Sequence, residues 1–589
     1  MYSAYVHSPT LNEPGHLVAG LSHWEFGRFE LYRVNPPLVR MVAALPVMAV
    51  GYEADWSGFY EGPGARPVFG MGEDFVAANG ERTFFLTMIA RWACLPFSWL
   101  GAIVCYLWGR DLFGRPAGLI ACFLWCFEPN VLAHASLYTA DAHAAALGLA
   151  ACYTFWRWLK NPTWTHAALT GVLLGLAELA KTTLILFYPL WPLMWLAYRW
   201  RDRASMTLPA WGREAGMLAL RMAIGLYIVN LGYGFEGSFK PLGEFHFVSH
   251  LFTGNADDDA SQGLPSVNRF RDTSLSLLPV PFPKNYLLGI DIQQRDFEDY
   301  ARPFYLRGEW RDEGWWYYYL YAALVKVPLG VWALGALTLA TTFLTRRNPN
   351  LGDELVLLFP AAVIFTVVSS KTGINEHFRY VLPCFPFVFV WLAGAAERLF
   401  SKKHRKTIDF ARGSVLFEGN ATLSANTLLW FFATSILLFW TATSSLWIYP
   451  HSLSYFNETI EGPSNGARYI LGSNIDWGQD LKYLQRHFAE QRSEVFHLAY
   501  HGGFDPVSAE ITGLTPWPQT VPSFPNKAKC VVSVNIASGD CVAGWQGFGK
   551  TVDSRQIVEL MGPVRSWRIK QATYALWVLE VETLNRTDR

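Results

Sequence analysis

The sequence predicts a polytopic α-helical membrane protein of about ten spans, with a small α/β region at its C-terminal end. Three observations predict this. Of 589 residues, 51% are hydrophobic and only 16% charged, whereas an ordinary soluble domain has about a quarter of its residues charged. Apolar runs long enough for a helix to cross a bilayer core, about twenty residues, recur up to residue 449. Beyond that point the pattern changes to short amphipathic segments of soluble type.

The expected spans are 84–109, 117–136, 143–158, 167–181, 184–200, 215–235, 316–344, 354–370, 380–400 and 427–449. Their orientation follows from the basic residues. Arg110 with Arg115, Arg157 with Lys160, Arg199, Arg201, Arg203 and Arg213, then Arg346 with Arg347, and finally Lys402, Lys403, Arg405 and Lys406 fall on alternate connections. These connections are expected on the cytoplasmic side, because positive loops are retained there. The opening stretch, the 138–142 turn, the 236–315 loop, the 371–379 turn and everything after 450 then share the outer side. The 26 Trp and 26 Tyr suit the lipid–water boundary. Lys+Arg and Asp+Glu balance at 48 each, a charge balance that points to no nucleic-acid partner. No basic-then-apolar run follows Met1, so no cleavable signal peptide is expected.

Three regions result. Residues 1–83 form a first outer loop, with helical spacing over 12–24 and 36–50. Pro36-Pro37 suits a first helical turn, where a missing N–H costs nothing, and 39–50 is short enough to lie in the interface instead of spanning. Residues 84–449 form the transmembrane region. Its 236–315 loop, which carries Asp257-Asp258-Asp259, is too long for a connector and reads as a lid or cap; a disordered insertion would share that composition. Residues 450–589 form an extracytoplasmic α/β domain, with a helix over 480–490 and strands over 495–500, 530–536 and 574–581. Six cysteines lie in apolar runs and read as packing residues. Cys530 and Cys541 lie in the polar C-terminal region, where an oxidising compartment would allow them to pair.

The polar residues beside these apolar runs are the candidates for chemistry. Glu13, in Ser8-Pro9-Thr10-Leu11-Asn12-Glu13-Pro14-Gly15-His16, and Asp141, in the short Tyr138-Thr139-Ala140-Asp141-Ala142 turn, are carboxylates at the edge of the bilayer. Each can take a proton from an acceptor hydroxyl or amine; Asp141 also suits the cap of the following helix. His16 follows Glu13 by three residues, so both can face one way. Two such groups without a third make no convincing metal site, so a divalent ion is allowed but not specified. His134 and His143 flank Asp141 and read as interface residues. Arg40, Lys181 and Arg379 are cations able to hold an anionic headgroup by charge-assisted hydrogen bonds; snorkelling anchors would look the same.

The opening run, together with Asn35-Pro36-Pro37-Leu38, resembles the first outer loop of the GT-C membrane glycosyltransferases related to protein O-mannosyltransferases and aminoarabinose lipid A transferases. Asp141 matches their second acidic position. Asn375-Glu376-His377-Phe378-Arg379-Tyr380-Val381-Leu382-Pro383, Tyr455-Phe456-Asn457-Glu458 and Asp476-Trp477-Gly478-Gln479-Asp480-Leu481 are similar to bacterial members with a C-terminal outer domain. The resemblance implies transfer of a sugar from a polyprenyl-phosphate donor to an acceptor lipid, glycan or protein, outside a bacterial inner (plasma) membrane. It makes Glu13 and Asp141 the catalytic pair, and Asn12, His16, Asn35, Arg40, Lys181 and Arg379 the binding set. The family carries Asp-Glu in this loop with the Asp as general base; here the first position is Asn12, and an amide cannot serve as that base. Either Glu13 takes over, or the chain is a non-catalytic relative that binds the lipid carrier. Val34-Asn35 likewise replaces the residues usual before the paired prolines. Relatives also have a membrane helix ahead of this loop, where only Met1–His7 stand here, so a truncated or mis-started gene model is expected. A transporter or flippase of lipid-linked material is a further reading; it would place charges at mid-membrane and show repeated halves, and neither is seen.

Overall fold

The computed structural model describes residues 1–200, 203–204, 206–254, 268–299, 302–344, 351–374, 376–398, 425–490, 496–511, 514–515, 529–539, 567–571 and 573–581. Among them, five helices are long and apolar enough to cross a membrane: Arg82–Phe113, Leu208–Gly232, Leu351–Ser370, Phe378–Ala395 and Leu428–Ile448. Two broken pairs bring the number to seven. Arg115–Phe127 and Pro129–Ala135 meet at 63°, and Tyr318–Lys326 and Leu329–Thr342 at 107°. Both breaks fall before a proline, whose ring pushes the preceding residue out of the helical region; Glu128 and Val327 are accordingly extended. The chain is an integral membrane protein of mostly helical structure.

The expected ten spans were counted by apolar runs, and three of those runs become something else. Ala140–Lys160 is a helix of 21 residues, but nearly all of them are buried, so it is the centre of the bundle and carries polar residues that lipid would not tolerate. Trp164–Ala180 has 17 residues. The run after Lys181 divides into a tight 3₁₀ turn, Thr182–Leu186, and a helix, Phe187–Arg199.

The opening segment folds as a sandwich of three helices. Glu13–Phe26 has Pro14 in its first turn and ends at Gly27, whose φ of 64° is the left-handed conformation that closes helices. Two glycines let the flanking helices touch its backbone. A Cβ on Gly15 would lie 2.8 Å from the Val68 carbonyl oxygen at the head of Val68–Asn79, and one on Gly20 only 2.3 Å from that of Arg40 in Leu38–Val50. Leu38–Val50 leaves Leu45, Met48 and Val50 exposed on one edge, as an interfacial helix would.

Within the long 236–315 loop, Lys284–Glu298 is a 15-residue helix laid on the opening segment. Asn285 receives a 2.7 Å bond from Arg33 Nε and gives its amide protons to Glu236. A hairpin of β1 (Phe304–Leu306) and β2 (Glu309–Arg311) follows. The tripeptide Asp257-Asp258-Asp259 lies outside the described residues.

Near the C-terminus, β3 (Phe496–Ala499), β4 (Leu514–Thr515), β5 (Lys529–Ser533), β6 (Trp567–Gln571) and β7 (Leu576–Val581) form one sheet in the order β4-β3-β5-β7-β6. The strands expected over 495–500, 530–536 and 574–581 are β3, β5 and β7; the second stops at Ser533, where a helical turn begins. Leu481–Glu490 is the expected helix. Leu481, Leu484, Leu498, Val531 and Leu576 share one apolar core with Val76 and Phe84, so sheet and helix sit directly on the opening segment. Cys541, and with it any pairing to Cys530, lies outside the described residues.

Candidate active site at the helix ends

A cavity of about 600 Å³ opens where the opening segment, the Lys284–Glu298 helix, the 371–379 turn and the Gly472–Trp477 loop converge on the head of Ala140–Lys160. Asn12, His16, Asn35, Asp141, Lys181 and Arg379 all line it. Residues that sequence order separates by hundreds of positions thus form one chamber.

Asp141, near the N-terminus of the central helix, is its electrostatic centre. Lys181 Nζ lies 2.6 Å from Oδ1 and Arg379 Nε 3.4 Å from Oδ2. Each cation is in turn braced by a ring: Lys181 stands over Tyr380 at 5.1 Å, and Arg379 over Trp477 at 4.1 Å. Arg379 also donates to Ser473 Oγ, which lies 2.9 Å from His377 Nδ1. Burial, and then the charge of Arg379, hold His377 well below its ordinary range, so its ring meets Ser473 uncharged. Two cations on one carboxylate leave a net positive pole, all of it nearly buried.

The Asn474–Leu481 run locks the chamber together. Asn474 accepts from Phe378 N at 3.0 Å and donates to the Glu376 carbonyl at 2.6 Å, which fixes the turn that presents Arg379. Leu11 N donates to the Trp477 carbonyl at 2.8 Å and Ser8 N to that of Gln479 at 2.9 Å. The opening segment is therefore tied at Ser8 and Leu11 to the loop bearing Trp477.

Two of the expected site residues do not face the cavity. Glu13 is fully buried and bound to Arg91, with Nε to Oε1 at 2.9 Å. Thr10 N donates to its other oxygen at 2.8 Å, and Thr10 Oγ1 adds a bond at 3.1 Å. Its lone pairs are engaged and it points away from the cavity, because adjacent positions on a helix start point to different sides. Arg40 is likewise buried, spanning His23 Nε2 at 2.8 Å and the Tyr32 and Asn35 carbonyls at 2.6 Å each. It shapes the loop from behind. Asn12 does face the cavity and makes no side-chain cap bond to the helix it precedes. His16 packs edge-on against Tyr32 at 4.7 Å; burial, then Arg40, lower its pKa to about 3, so it is neutral. Asn35 donates to the Tyr32 hydroxyl at 3.0 Å. His143 Nε2 donates to the Leu137 carbonyl at 2.8 Å, and His143 does not line the cavity.

Sequence reasoning missed Glu73, which lines the same cavity from the Val68–Asn79 helix. Burial, and then neighbouring Asp74, raise its carboxyl to about 7, the range wanted of a general base at neutral pH. The close approach that brings it there was written in the glycines: a Cβ on Gly72 would fall 2.6 Å from Gly15 N. Arg66 and Asp296, an ion pair, and Arg302 complete the rim. A second cavity of about 200 Å³ adjoins the first through Lys181, Gln293 and Tyr380, and its walls include Ile185, Leu186, Phe297, Val367 and Val368.

A helical membrane bundle with a polar, cation-bearing chamber at the helix ends is the class these features define. The family profile described as "Dolichyl-phosphate-mannose-protein mannosyltransferase" matches residues 85–224. Over that stretch the sequence is similar to this mannosyltransferase family. No curated protein sequence matches. Among solved structures, the chain is similar to ArnT from Cupriavidus metallidurans bound to undecaprenyl phosphate, with 14% identity over 98% of this chain and 95% of that one and a TM-score of 0.41. It is also similar to the archaeal oligosaccharyltransferase AglB from Archaeoglobus fulgidus in complex with an inhibitory peptide and a dolichol-phosphate, with 14% identity over 90% and 66% of the two chains and a TM-score of 0.43.

Proposed function

We propose that the protein transfers a sugar from a polyprenyl-phosphate donor to an acceptor hydroxyl or amine on the outer side of the membrane. The observation that carries this reading is the junction at Lys181 and Tyr380. A polar chamber with a positive pole meets a cleft walled by aliphatic and aromatic side chains. An isoprenoid tail suits the cleft, its phosphate suits Lys181 and Arg379, and the sugar suits the chamber beyond.

In this reading the acceptor attacks the anomeric carbon, the bond from that carbon to the phosphate oxygen breaks, and the configuration inverts. Lys181 and Arg379 neutralise the leaving phosphate, and Asp141 holds both cations in position. Glu73 takes the acceptor proton, the task that Asn12 cannot perform and that Glu13, bound to Arg91, is not free to perform. Asn12, His16 and Asn35 contact the sugar or acceptor as uncharged hydrogen-bonding groups. The Lys284–Glu298 helix, with Gln293 and Asp296 on the cavity wall, belongs to the cap of the site, and residues 450–589 form an outer domain that holds the opening segment.

The test is transfer from a panel of polyprenyl-phosphate sugars by the protein in lipid nanodiscs. Asp141→Asn and Lys181→Met are expected to lower turnover at least a hundredfold, about 3 kcal/mol of transition-state stabilisation. Absence of transfer from every donor, combined with saturable binding of polyprenyl phosphate, would favour the non-catalytic carrier-binding reading instead.

A further inference from the structure

Away from the chamber, one cluster among the described residues has the composition and spacing of a metal site: His7, His451 and Asp480. One ligand atom from each lies within 4.8 Å of the others. His7 Nδ1 is 3.2 Å from Asp480 Oδ1, and His451 Nδ1 is 3.7 Å from the same oxygen. None of the three lines the chamber.

The arrangement is a poor hydrogen-bond network. His7 Nδ1, His451 Nδ1 and both Asp480 carboxylate oxygens are buried and find no partner of good hydrogen-bond geometry, although His7 and Asp480 are more than nine-tenths buried. Unmet acceptors in such a place cost about 1–3 kcal/mol each. His7 Nε2 lies 3.0 Å from the Pro450 carbonyl oxygen, a group that can only accept, so Nε2 carries the proton. In the neutral ring Nδ1 is then a bare lone pair facing a carboxylate. Two lone pairs set against each other call for a positive centre between them.

The distances say which kind. A hydrogen bond between nitrogen and oxygen spans about 2.7–3.2 Å in line, so the His7 separation of 3.2 Å stands at its long limit and the His451 separation of 3.7 Å beyond it. Ligands about 2.0 Å from a tetrahedral ion stand about 3.3 Å from one another, a spacing that the 3.2 and 3.7 Å separations bracket. A backbone carbonyl on the far nitrogen of a histidine is also the usual support of a metal-bound imidazole.

We propose that His7, His451 and Asp480 bind a divalent transition-metal ion, for which Zn²⁺ fits the two-nitrogen, one-carboxylate donor set. Its role is a staple. His7 adjoins the segment running from Ser8 to Asn12, His451 follows the last membrane helix, and Asp480 opens the Leu481–Glu490 helix. The ion thus holds three remote parts of the chain in one place and fixes the segment whose end, Asn12, faces the chamber. Tyr483, with its ring 4.7 Å from that of His451 and 5.4 Å from that of His7, screens the cluster.

The experiment loads purified full-length protein with Zn²⁺, removes unbound metal and counts retained zinc by mass spectrometry. About one ion per chain is expected, falling to background in His451→Ala and in Asp480→Asn. Co²⁺ in place of Zn²⁺ should give the visible absorption of a four- or five-coordinate site. A strong chelator should lower the melting temperature and Zn²⁺ restore it, with no such shift in His451→Ala. No retained zinc and no cobalt spectrum in the unsubstituted protein would overturn the proposal and leave His7 and His451 in direct contact with Asp480. Equal retention by His451→Ala would overturn it as well. Because the decisive readings are made on the unsubstituted protein, a variant that fails to fold leaves the test intact.

Discussion

At the scale of single residues, the chamber separates two acids that look alike in sequence. Glu13 sits with its charge matched by Arg91 in a buried pair, so Glu13→Gln leaves a buried guanidinium without its partner. The expected result is a loss of about 3–5 kcal/mol of stability, seen as a large fall in melting temperature. Glu73, by contrast, is tuned for proton transfer. Its raised pKa of about 7 means that the base form is depleted below neutrality. Transfer activity should therefore rise with pH through about 7 in the unsubstituted protein, and Glu73→Gln should remove that limb with a rate loss of about 10²–10⁴. An unchanged pH profile in Glu73→Gln would move the base elsewhere. His16, neutral down to a pKa of about 3, contributes no limb in this range.

At the scale of elements, small residues decide which helices touch. Gly72 meets the backbone of Gly15, and Gly15 that of Val68, so the Val68–Asn79 helix can swing Glu73 to the chamber only while both remain glycine. Gly72→Ala forces the two helices apart. The cost expected of such overpacking is about 1–3 kcal/mol, together with a loss of turnover out of proportion to the loss of melting temperature. The Asn474–Leu481 run acts in the same manner from the other side. Asn474→Ala removes the bonds that set the 376–379 turn, and the reading predicts weaker polyprenyl-phosphate binding in a titration, because Arg379 loses its support.

The whole molecule brings to one end a chamber, a cap helix and a sheet. If the basic connections face the cytoplasm, that end is outside. Leu277 is 82% exposed in the long loop, and Arg203 is exposed on a basic connection. In a background lacking the exposed Cys126, Leu277→Cys should react with a membrane-impermeant maleimide on intact cells, and Arg203→Cys only after permeabilisation. The reverse pattern would invert the orientation.

How much of this was legible beforehand varies with the range of the interactions. Hydrophobic periodicity reports the local environment of a helix, which is why Glu13–Phe26, Leu38–Val50, Leu481–Glu490 and most of the apolar helices lie close to where the sequence puts them. Periodicity cannot tell lipid from protein as the apolar surroundings, and so Ala140–Lys160, buried at the centre of the bundle, was counted as an ordinary span. Asp141, Lys181 and Arg379 were nameable because charge beside an apolar run is unusual. Glu73 was not, lying in an unremarkable amphipathic stretch.

By itself, then, the sequence determined the membrane class, the approximate helices, the family resemblance and the polar residues Asn12, His16, Asn35, Asp141, Lys181 and Arg379 that meet in one chamber. Only the tertiary structure decided that Glu13 and Arg40 lie buried behind the chamber, that Glu73 lines it, and that His7, His451 and Asp480 stand together. The reason is physical. Burial and backbone contact follow from short-range patterns, whereas the protonation and partners of a carboxylate depend on charges that distant parts of the chain deliver to within a few ångströms.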